Sequence, residues 1–122
     1  MMSALRILLV EDEAPIGLLF ADLLTGMGHD VCAIAANEAE AVAAAARYQP
    51  DLMIVDERLG LGSGVAAVAE ILRTRFIPHV FVSGDTSVVH ALRPDAVALQ
   101  KPFFASDLSR AIQRALGAAP SH

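Results

Sequence analysis

The stretch Leu52-Met53-Ile54-Val55-Asp56 consists of four apolar residues followed directly by a carboxylate. Three other segments repeat the pattern of a short apolar run that gives way to polar side chains, namely 7–12, 80–83 and 97–101. Because sequence with helical spacing follows each run, we interpret the runs as buried parallel strands. Parallel strands end at a common edge of the sheet, where such folds bind ligands. The sequence therefore predicts an α/β fold with its polar groups gathered at one edge.

This edge is predicted to collect five polar side chains, which are Glu11, Asp12, Asp56, Ser83 and Lys101. Carboxylates in close proximity repel one another unless a cation compensates, and Mg²⁺ prefers oxygen ligands such as carboxylates and phosphates. The set therefore indicates a site for Mg²⁺ and a phosphoryl group. Ordinary structural interpretations also exist, such as a helix-dipole contact for the acidic pair or turn chemistry for Asp56 and Ser83.

The chain reads as five successive strand–helix units, which favours right-handed crossovers and a doubly wound sheet. Helices are expected over about 14–27, 37–48, 65–75, 86–92 and 105–116, with Asn37 and Glu40 capping the second. Only 17 residues separate Ser83 from Lys101, so the fourth helix has at most about two turns. Buried faces are expected on the first and last helices, formed by Ile16, Leu19, Phe20, Leu23 and Leu24 and by Leu108, Ile112 and Leu116.

The length and composition of the 122-residue chain favour one globular domain over 1–122. We expect the core of this domain at about 5–117 and a frayed tail at 118–122. The chain is 55% hydrophobic, yet no apolar run reaches the length of a membrane span. A single cysteine and the absence of a signal-peptide pattern favour the cytoplasm. A net charge of −5 argues against direct binding of nucleic acid.

Taken together, these residues resemble the receiver domain of bacterial two-component response regulators over about 5–117. The matching features, in order, are the acidic pair after the first strand, Asp56, a glycine eight residues later, Ser83, and Lys101-Pro102-Phe103. The resemblance implies a flavodoxin-like (βα)5 fold with a five-stranded parallel sheet in the order 2-1-3-4-5.

The same resemblance implies specific roles for the site residues. Asp56 would be the phosphoacceptor, Ser83 would hydrogen-bond a phosphoryl oxygen, and Lys101 would pair with the acidic site. The Mg²⁺ ligands would be Asp12 and Asp56, Glu11 through water, and the backbone carbonyl of Arg58. The donor would be a sensor histidine kinase or a histidine phosphotransfer protein. The chain would act by contact with a downstream protein or as a phosphate sink, and not as a turnover enzyme, with no more than a weak homodimer.

Three departures from the family pattern concern signalling. Ala98 stands three residues before Lys101, where many receivers have an aromatic residue that swings inward on activation. Gly84 follows Ser83, and the short fourth helix reduces a surface often used for docking. We therefore expect the backbone from Ser83 to Leu92 to carry the switch. Arg58 has two open interpretations, as a side chain over the site or as a solvated one.

Three alternatives remain open at this level. The chain is interpreted alternatively as a phosphorylation-independent adaptor with the receiver fold, although intact Asp12, Asp56 and Lys101 argue against it. A phosphatase with a nucleophilic aspartate of the haloacid dehalogenase type needs a second aspartate where this chain has Arg58. The last alternative is a receiver cut from a hybrid kinase.

Overall fold

The computed structural model describes residues 4–118 and contains one parallel sheet flanked by helices. The sheet strands are β1 (Arg6–Val10), β2 (Asp30–Ala35), β3 (Leu52–Asp56), β6 (His79–Ser83) and β7 (Val97–Gln100). A small antiparallel ladder pairs β4 (Arg58–Leu59) with β5 (Gly62–Ser63). The helices are α1 (Ala14–Gly26), α2 (Glu38–Tyr48), α3 (Gly64–Leu72), α4 (Thr86–Leu92) and α5 (Ala105–Gly117).

The strand order confirms the predicted topology. The sheet runs β2-β1-β3-β6-β7, and all four pairings are parallel. Counted among themselves, the five strands are therefore in the order 2-1-3-4-5. The register places Asp56 beside Val82 and Ser83 beside Gln100. The carboxyl ends of β3, β6 and β7 consequently lie next to one another, which positions the polar residues that follow them.

Each face of the sheet is covered by its own set of helices. Ile7, Leu9 and Ile54 pack with buried residues of α1 and α5 on one face. Leu8, Met53 and Phe81 pack with buried residues of α2, α3 and α4 on the other. Because the apolar strands are buried on both faces, they carry continuous hydrophobic runs and not an alternating pattern. This is the physical basis of the segments from which the fold was predicted.

The prediction of the buried face of α1 is wrong for two of its five residues. Leu24 is fully buried and Phe20 and Leu23 are half-buried, but Ile16 is 41% exposed and Leu19 is 70% exposed. The helix instead turns Gly17 toward β2, where an added Cβ atom would lie 3.3 Å from Cγ2 of Ile34. Ile16 and Leu19 line a cavity between the helix and the sheet that is open to solvent, which leaves them exposed.

The last helix shows a smaller correction of the same kind. Leu108 and Ile112 are buried as expected, but Leu116 is 40% exposed. Ala111 and Ala115 occupy the centre of the buried face instead. Small residues here allow the helix to lie close to the sheet, and Leu116 falls beside this face.

The helix boundaries agree with the sequence except in the third helix, which is shorter than expected. Asn37 caps α2 by accepting a hydrogen bond from the amide of Glu40 at 2.9 Å, and α4 has only seven residues. The stretch from Glu57 to Gly64, between the third predicted strand and the third predicted helix, contains the β4–β5 ladder. The predicted frayed tail at 118–122 falls outside the described residues, apart from Ala118. Within 4–118, no helix is both long and apolar enough to span a membrane.

Candidate metal and phosphoryl site

Asp56 lies at the end of β3 and is held through both carboxylate oxygens. Oδ1 accepts a hydrogen bond from the backbone N–H of Arg58 at 3.0 Å, and Oδ2 is 3.2 Å from Nζ of Lys101. The residue is 8% exposed, so the carboxylate is largely shielded but still reaches the surface. Since the two interactions fix the orientation of the side chain, the carboxylate is a preorganised group at the edge of the sheet.

Gly64, the glycine eight residues after Asp56, has a steric role beside the site. A Cβ atom at this position would lie 2.0 Å from the carbonyl oxygen of Asp56 and 2.7 Å from Cγ1 of Val55. No side chain can be accommodated at such distances. The start of α3 therefore packs directly against the backbone that carries the carboxylate, and the amide of Gly64 donates to the carbonyl of Glu57 at 2.9 Å.

The acidic pair after β1 completes a cluster of carboxylates. Glu11, Asp12 and Asp56 each offer a carboxylate oxygen, and these atoms all lie within 4.8 Å of one another. Glu11 is 5% exposed, and its Oε2 accepts the amide of Glu13 at 3.0 Å. Burial, together with the nearby Asp56 and Asp12, raises the pKa of Glu11 to about 7.

This donor set fits Mg²⁺. The ligand atoms are hard oxygens, one carboxylate is exposed to solvent, and Lys101 provides the single ion pair to the cluster within residues 4–118. Burial is the largest cause of the raised pKa of Glu11, and repulsion from the neighbouring carboxylates of Asp56 and Asp12 adds to it. A divalent cation would relieve that repulsion. The described structure thus brings together the predicted carboxylates, while the ligand role of the Arg58 carbonyl stays a prediction.

Lys101 reaches the cluster because the backbone after β7 is tied to the end of β6. Its amide donates to the carbonyl of Ser83 at 2.8 Å, which continues the ladder beyond Gln100. The Lys101 side chain then extends to Asp56. The lysine side chain is 39% exposed, whereas the Asp56 side chain is 10% exposed. The one cation paired with Asp56 in the described chain therefore remains partly open to solvent.

Ser83 is present at the expected strand end, but its hydroxyl has other partners. The residue is 1% exposed, and Oγ lies 3.0 Å from Oε1 of Glu57 and 2.9 Å from the carbonyl of Asp85. The same oxygen accepts the amide of Asp85 at 3.0 Å. Glu57 was not among the site residues predicted from the sequence. The available signal was a second carboxylate directly after Asp56, which strand alternation directs to the other side of the chain.

Gln100 is a second residue that the sequence analysis missed. Its side-chain amide donates to the carbonyl of Gly84, and its Oε1 accepts the amide of Thr86 at 3.2 Å. Gln100 thereby attaches the start of α4 to the end of β7. Ala98, two residues earlier on β7, is half-buried and carries no polar group. A polar residue immediately before Lys101 was the available signal for this contact.

Two adjoining depressions open next to Asp56. A polar cleft of about 300 Å³ is lined by Asp12, Glu13, Asp56, Glu57, Arg58, Gly60, Gly84 and Lys101. A more apolar cavity of about 290 Å³ extends from Asp56 and Lys101 between α1 and Phe103, where Phe20 and Phe103 stack with their ring centroids 5.5 Å apart. Arg58 is exposed and lines the polar cleft, and its contact with Asp56 is through the backbone N–H, so both interpretations of its side chain stay open.

The fold and this acidic site define a class of protein, which comparison of the chain with known protein families identifies. The family model "Response regulator receiver domain" matches residues 7–113, which is most of the chain. The chain belongs to the response regulator receiver domain family, whose members are generally signalling domains of two-component systems and bind Mg²⁺ at an acidic pocket.

Several curated proteins are similar in sequence to this chain. The transcriptional regulatory protein PdtaR of Mycobacterium tuberculosis is 36% identical over 115 residues, covering 91% of this chain and 56% of that protein. The chemotaxis protein CheY of Bacillus subtilis is 31% identical over 116 residues, covering 91% of this chain and 97% of CheY. The chain thus spans about half the length of PdtaR but nearly all of CheY.

Solved structures show the same fold. The receiver domain of the PhyR response regulator of Erythrobacter litoralis superposes with a TM-score of 0.85 at 29% identity, covering 99% of this chain and 98% of that domain. The response regulator PhyR of Brucella abortus superposes with a TM-score of 0.79 at 30% identity, where the match covers 93% of this chain and 47% of that chain.

Proposed function

We propose that this chain accepts a phosphoryl group on Asp56. The receiver unit that we propose extends over about residues 5–117. The observation that carries the proposal is the geometry of Asp56, whose carboxylate is fixed by Arg58 and Lys101 and lies beside Glu11 and Asp12. A carboxylate can serve as a nucleophile that forms a covalent intermediate. Asp56 combines that chemistry with access to solvent and a cation at the position where charge develops.

The proposed reaction is the transfer of a phosphoryl group from a phosphohistidine. The N–P bond of the donor breaks as a bond forms between phosphorus and an oxygen of Asp56, and the imidazole leaves with the electron pair of the broken bond. Negative charge is spread over the transferring oxygens during this step. Lys101 is positioned to stabilise that charge, because its ammonium lies 3.2 Å from the attacking carboxylate. Hydrolysis of the resulting acyl phosphate returns the carboxylate.

Mg²⁺ would be held by Asp12 and Asp56, with Glu11 acting through water and the carbonyl of Arg58 as a further ligand. When bound, the ion would neutralise charge on the phosphoryl oxygens. Within the chain, Asp56 has to serve both as ligand and as nucleophile, and its hydrogen bond from the Arg58 amide keeps one oxygen oriented for these tasks. The exposed position of Asp12 in the polar cleft supports entry of a hydrated ion.

A protein donor fits the surface around Asp56. Leu18 is 62% exposed and Leu19 is 70% exposed on α1, while Phe104 is 79% exposed at the start of α5. Leu19 lines the cavity that reaches Asp56, and Leu18 and Phe104 directly adjoin its lining residues Leu19 and Phe103 in the chain. We propose that a histidine kinase or a histidine phosphotransfer protein covers this surface while its phosphohistidine enters the site. The phosphorylated chain would then signal through protein contact or act as a phosphate sink.

The proposal is tested by phosphotransfer from a phosphorylated histidine phosphotransfer domain in the presence of Mg²⁺. We expect loss of label from the histidine and gain of acid-stable, base-labile label on this chain. The Asp56→Asn variant, whose side chain has nearly the same shape, is the matched control and should remain unlabelled. Labelling of that variant at the wild-type rate would overturn the assignment of Asp56.

A further inference from the structure

We infer that Glu57 is a positioning residue that holds the Ser83 hydroxyl away from the phosphoryl site and so opposes activation. The inference rests on the proposed phosphorylation of Asp56. Oγ of Ser83 lies 3.0 Å from Oε1 of Glu57, and Ser83 is almost completely buried. A hydroxyl has one hydrogen to donate. A phosphoryl oxygen on Asp56 can therefore receive that hydrogen only after Glu57 has lost it.

Two acceptors lie within reach of the single hydrogen of the Ser83 hydroxyl, and Glu57 is the stronger of them. The alternative acceptor is the neutral carbonyl of Asp85 at 2.9 Å, whereas Glu57 presents a carboxylate. Hydrogen bonds to a charged acceptor are stronger than hydrogen bonds to a neutral one. Glu57 therefore accounts for most of the preference of Ser83 for its present orientation.

Glu57 is also placed so that the contact can be exchanged. Its side chain lines the polar cleft together with Asp56 and Lys101, so the carboxylate can be solvated once Ser83 turns away. Ser83 and Gly84 are joined to β7 through Lys101 and Gln100, and a change at Ser83 is therefore transmitted to the start of α4. A ligand shifts such an equilibrium only by its differential interaction with the two states. Here the difference is the choice of acceptor for one hydroxyl hydrogen.

A double-mutant cycle on beryllofluoride binding tests this role. The probe is the phosphoryl analogue beryllofluoride with Mg²⁺, and the readout is its affinity for wild type, Glu57→Ala, Ser83→Ala and the double variant. We expect Glu57→Ala to increase the affinity about tenfold when Ser83 is present, which is the lower end of the effect of one hydrogen bond to a charged group. In the Ser83→Ala background the increase should fall to about twofold or less, because only a charge effect remains.

Two further variants separate the hydrogen bond from the charge. Glu13→Ala removes another carboxylate that lines the same cleft. Its increase in beryllofluoride affinity should be as small as the increase that Glu57→Ala causes in the Ser83→Ala background. Glu57→Gln removes the charge but keeps an oxygen that accepts from Ser83, so its affinity should lie between wild type and Glu57→Ala. We expect both Glu57 variants to fold, because the main chain of this residue keeps its hydrogen bonds to Val82 and Gly64.

The outcomes distinguish this inference from the proposed function. An equal increase for Glu57→Ala in both backgrounds, or an increase no larger than that of Glu13→Ala, would show a pure charge effect and overturn the role of Glu57. Wild type that binds no beryllofluoride, together with an unlabelled Asp56, would instead contradict the proposed function itself.

Discussion

Nζ of Lys101 lies 3.2 Å from Oδ2 of Asp56 and so connects the ends of β7 and β3 across the intervening β6. The pair is asymmetric in its exposure, since the lysine side chain is 39% exposed and the aspartate side chain is 10% exposed. An ion pair that is open to solvent contributes little to stability. Its value lies in placing a cation next to a group that is proposed to receive a phosphoryl group.

The first prediction separates these two contributions. Replacement of Lys101 by Met should slow phosphorylation from acetyl phosphate by about 10²-fold, since a preorganised charge is lost where negative charge develops. The free energy of unfolding should change by less than about 1 kcal/mol. Lys101→Arg, which keeps the charge in a different shape, should retain more of the rate than Lys101→Met. Equal rates for Lys101→Met and wild type would remove this residue from the mechanism.

The second prediction concerns Glu11, whose pKa is raised from 4.5 to about 7 by burial and by the neighbouring carboxylates. Between these two values the folded protein binds about one proton more than the unfolded chain. Without Mg²⁺, the contribution of Glu11 to stability is therefore fully present below pH 4.5 and is lost as the pH rises through 7. The loss should be on the order of 3 kcal/mol, since each pKa unit corresponds to about 1.4 kcal/mol.

Urea unfolding of wild type and Glu11→Gln over this pH range measures the effect. The difference in unfolding free energy between the two proteins should change with pH in buffer containing a chelator. Millimolar Mg²⁺ should reduce that change, because a bound cation favours the ionised carboxylates and stabilises the folded state by mass action. A difference that is independent of pH in both buffers would contradict the raised pKa.

How much of this site could be predicted depends on which interactions determine each part. The strand ends that carry Asp56, Ser83 and Lys101 follow from buried apolar runs, and the register of parallel strands then places them together. The orientation of α1 could not be obtained in this way, because periodicity marks an apolar face but does not say which residue of the helix approaches the sheet. In the structure that residue is Gly17, while Ile16 and Leu19 line a cavity that is open to solvent.

The hydrogen-bond partner of the Ser83 hydroxyl could not be predicted from the sequence for a related reason. Ser83 has several acceptors within reach, and the choice among them depends on the positions of Glu57 and Asp85 to within an ångström. The position of Gln100 across the start of α4 is likewise a tertiary contact between side chain and backbone. Patterns of residue type carry no information at that resolution.

The third prediction concerns the exposed apolar surface of α1. Replacement of both Leu18 and Leu19 by Ser should slow transfer from a phosphorylated histidine phosphotransfer domain about tenfold or more, because a docking surface is lost. Phosphorylation by acetyl phosphate should be unchanged, since this small donor needs no such surface. Leu92→Ser is a matched control, as Leu92 is 63% exposed on α4. A double variant that slows both donors equally would argue against docking at α1.

The fourth prediction concerns the segment from Gly84 to Leu92. Its helix has seven residues and a single buried side chain, Val89, so it should lie at the low-stability end of the domain. Amides in this segment should exchange with solvent rapidly in the unmodified protein and more slowly after phosphorylation. Amides of β1 and β3 should be slow in both states and provide the internal reference. Equal, high protection of 84–92 in both states, with change confined to α5, would contradict this account of the switch.

The proposed phosphoacceptor is tested most directly by intact mass after incubation with acetyl phosphate and Mg²⁺. The account predicts that the wild-type protein gains one phosphoryl group, that a chelator prevents the gain, and that Asp56→Asn gains none. Peptide mapping should then place the modification on Asp56, the carboxylate held by Arg58 and Lys101. Retained labelling of Asp56→Asn, or a wild-type mass that never changes, would contradict the central claim.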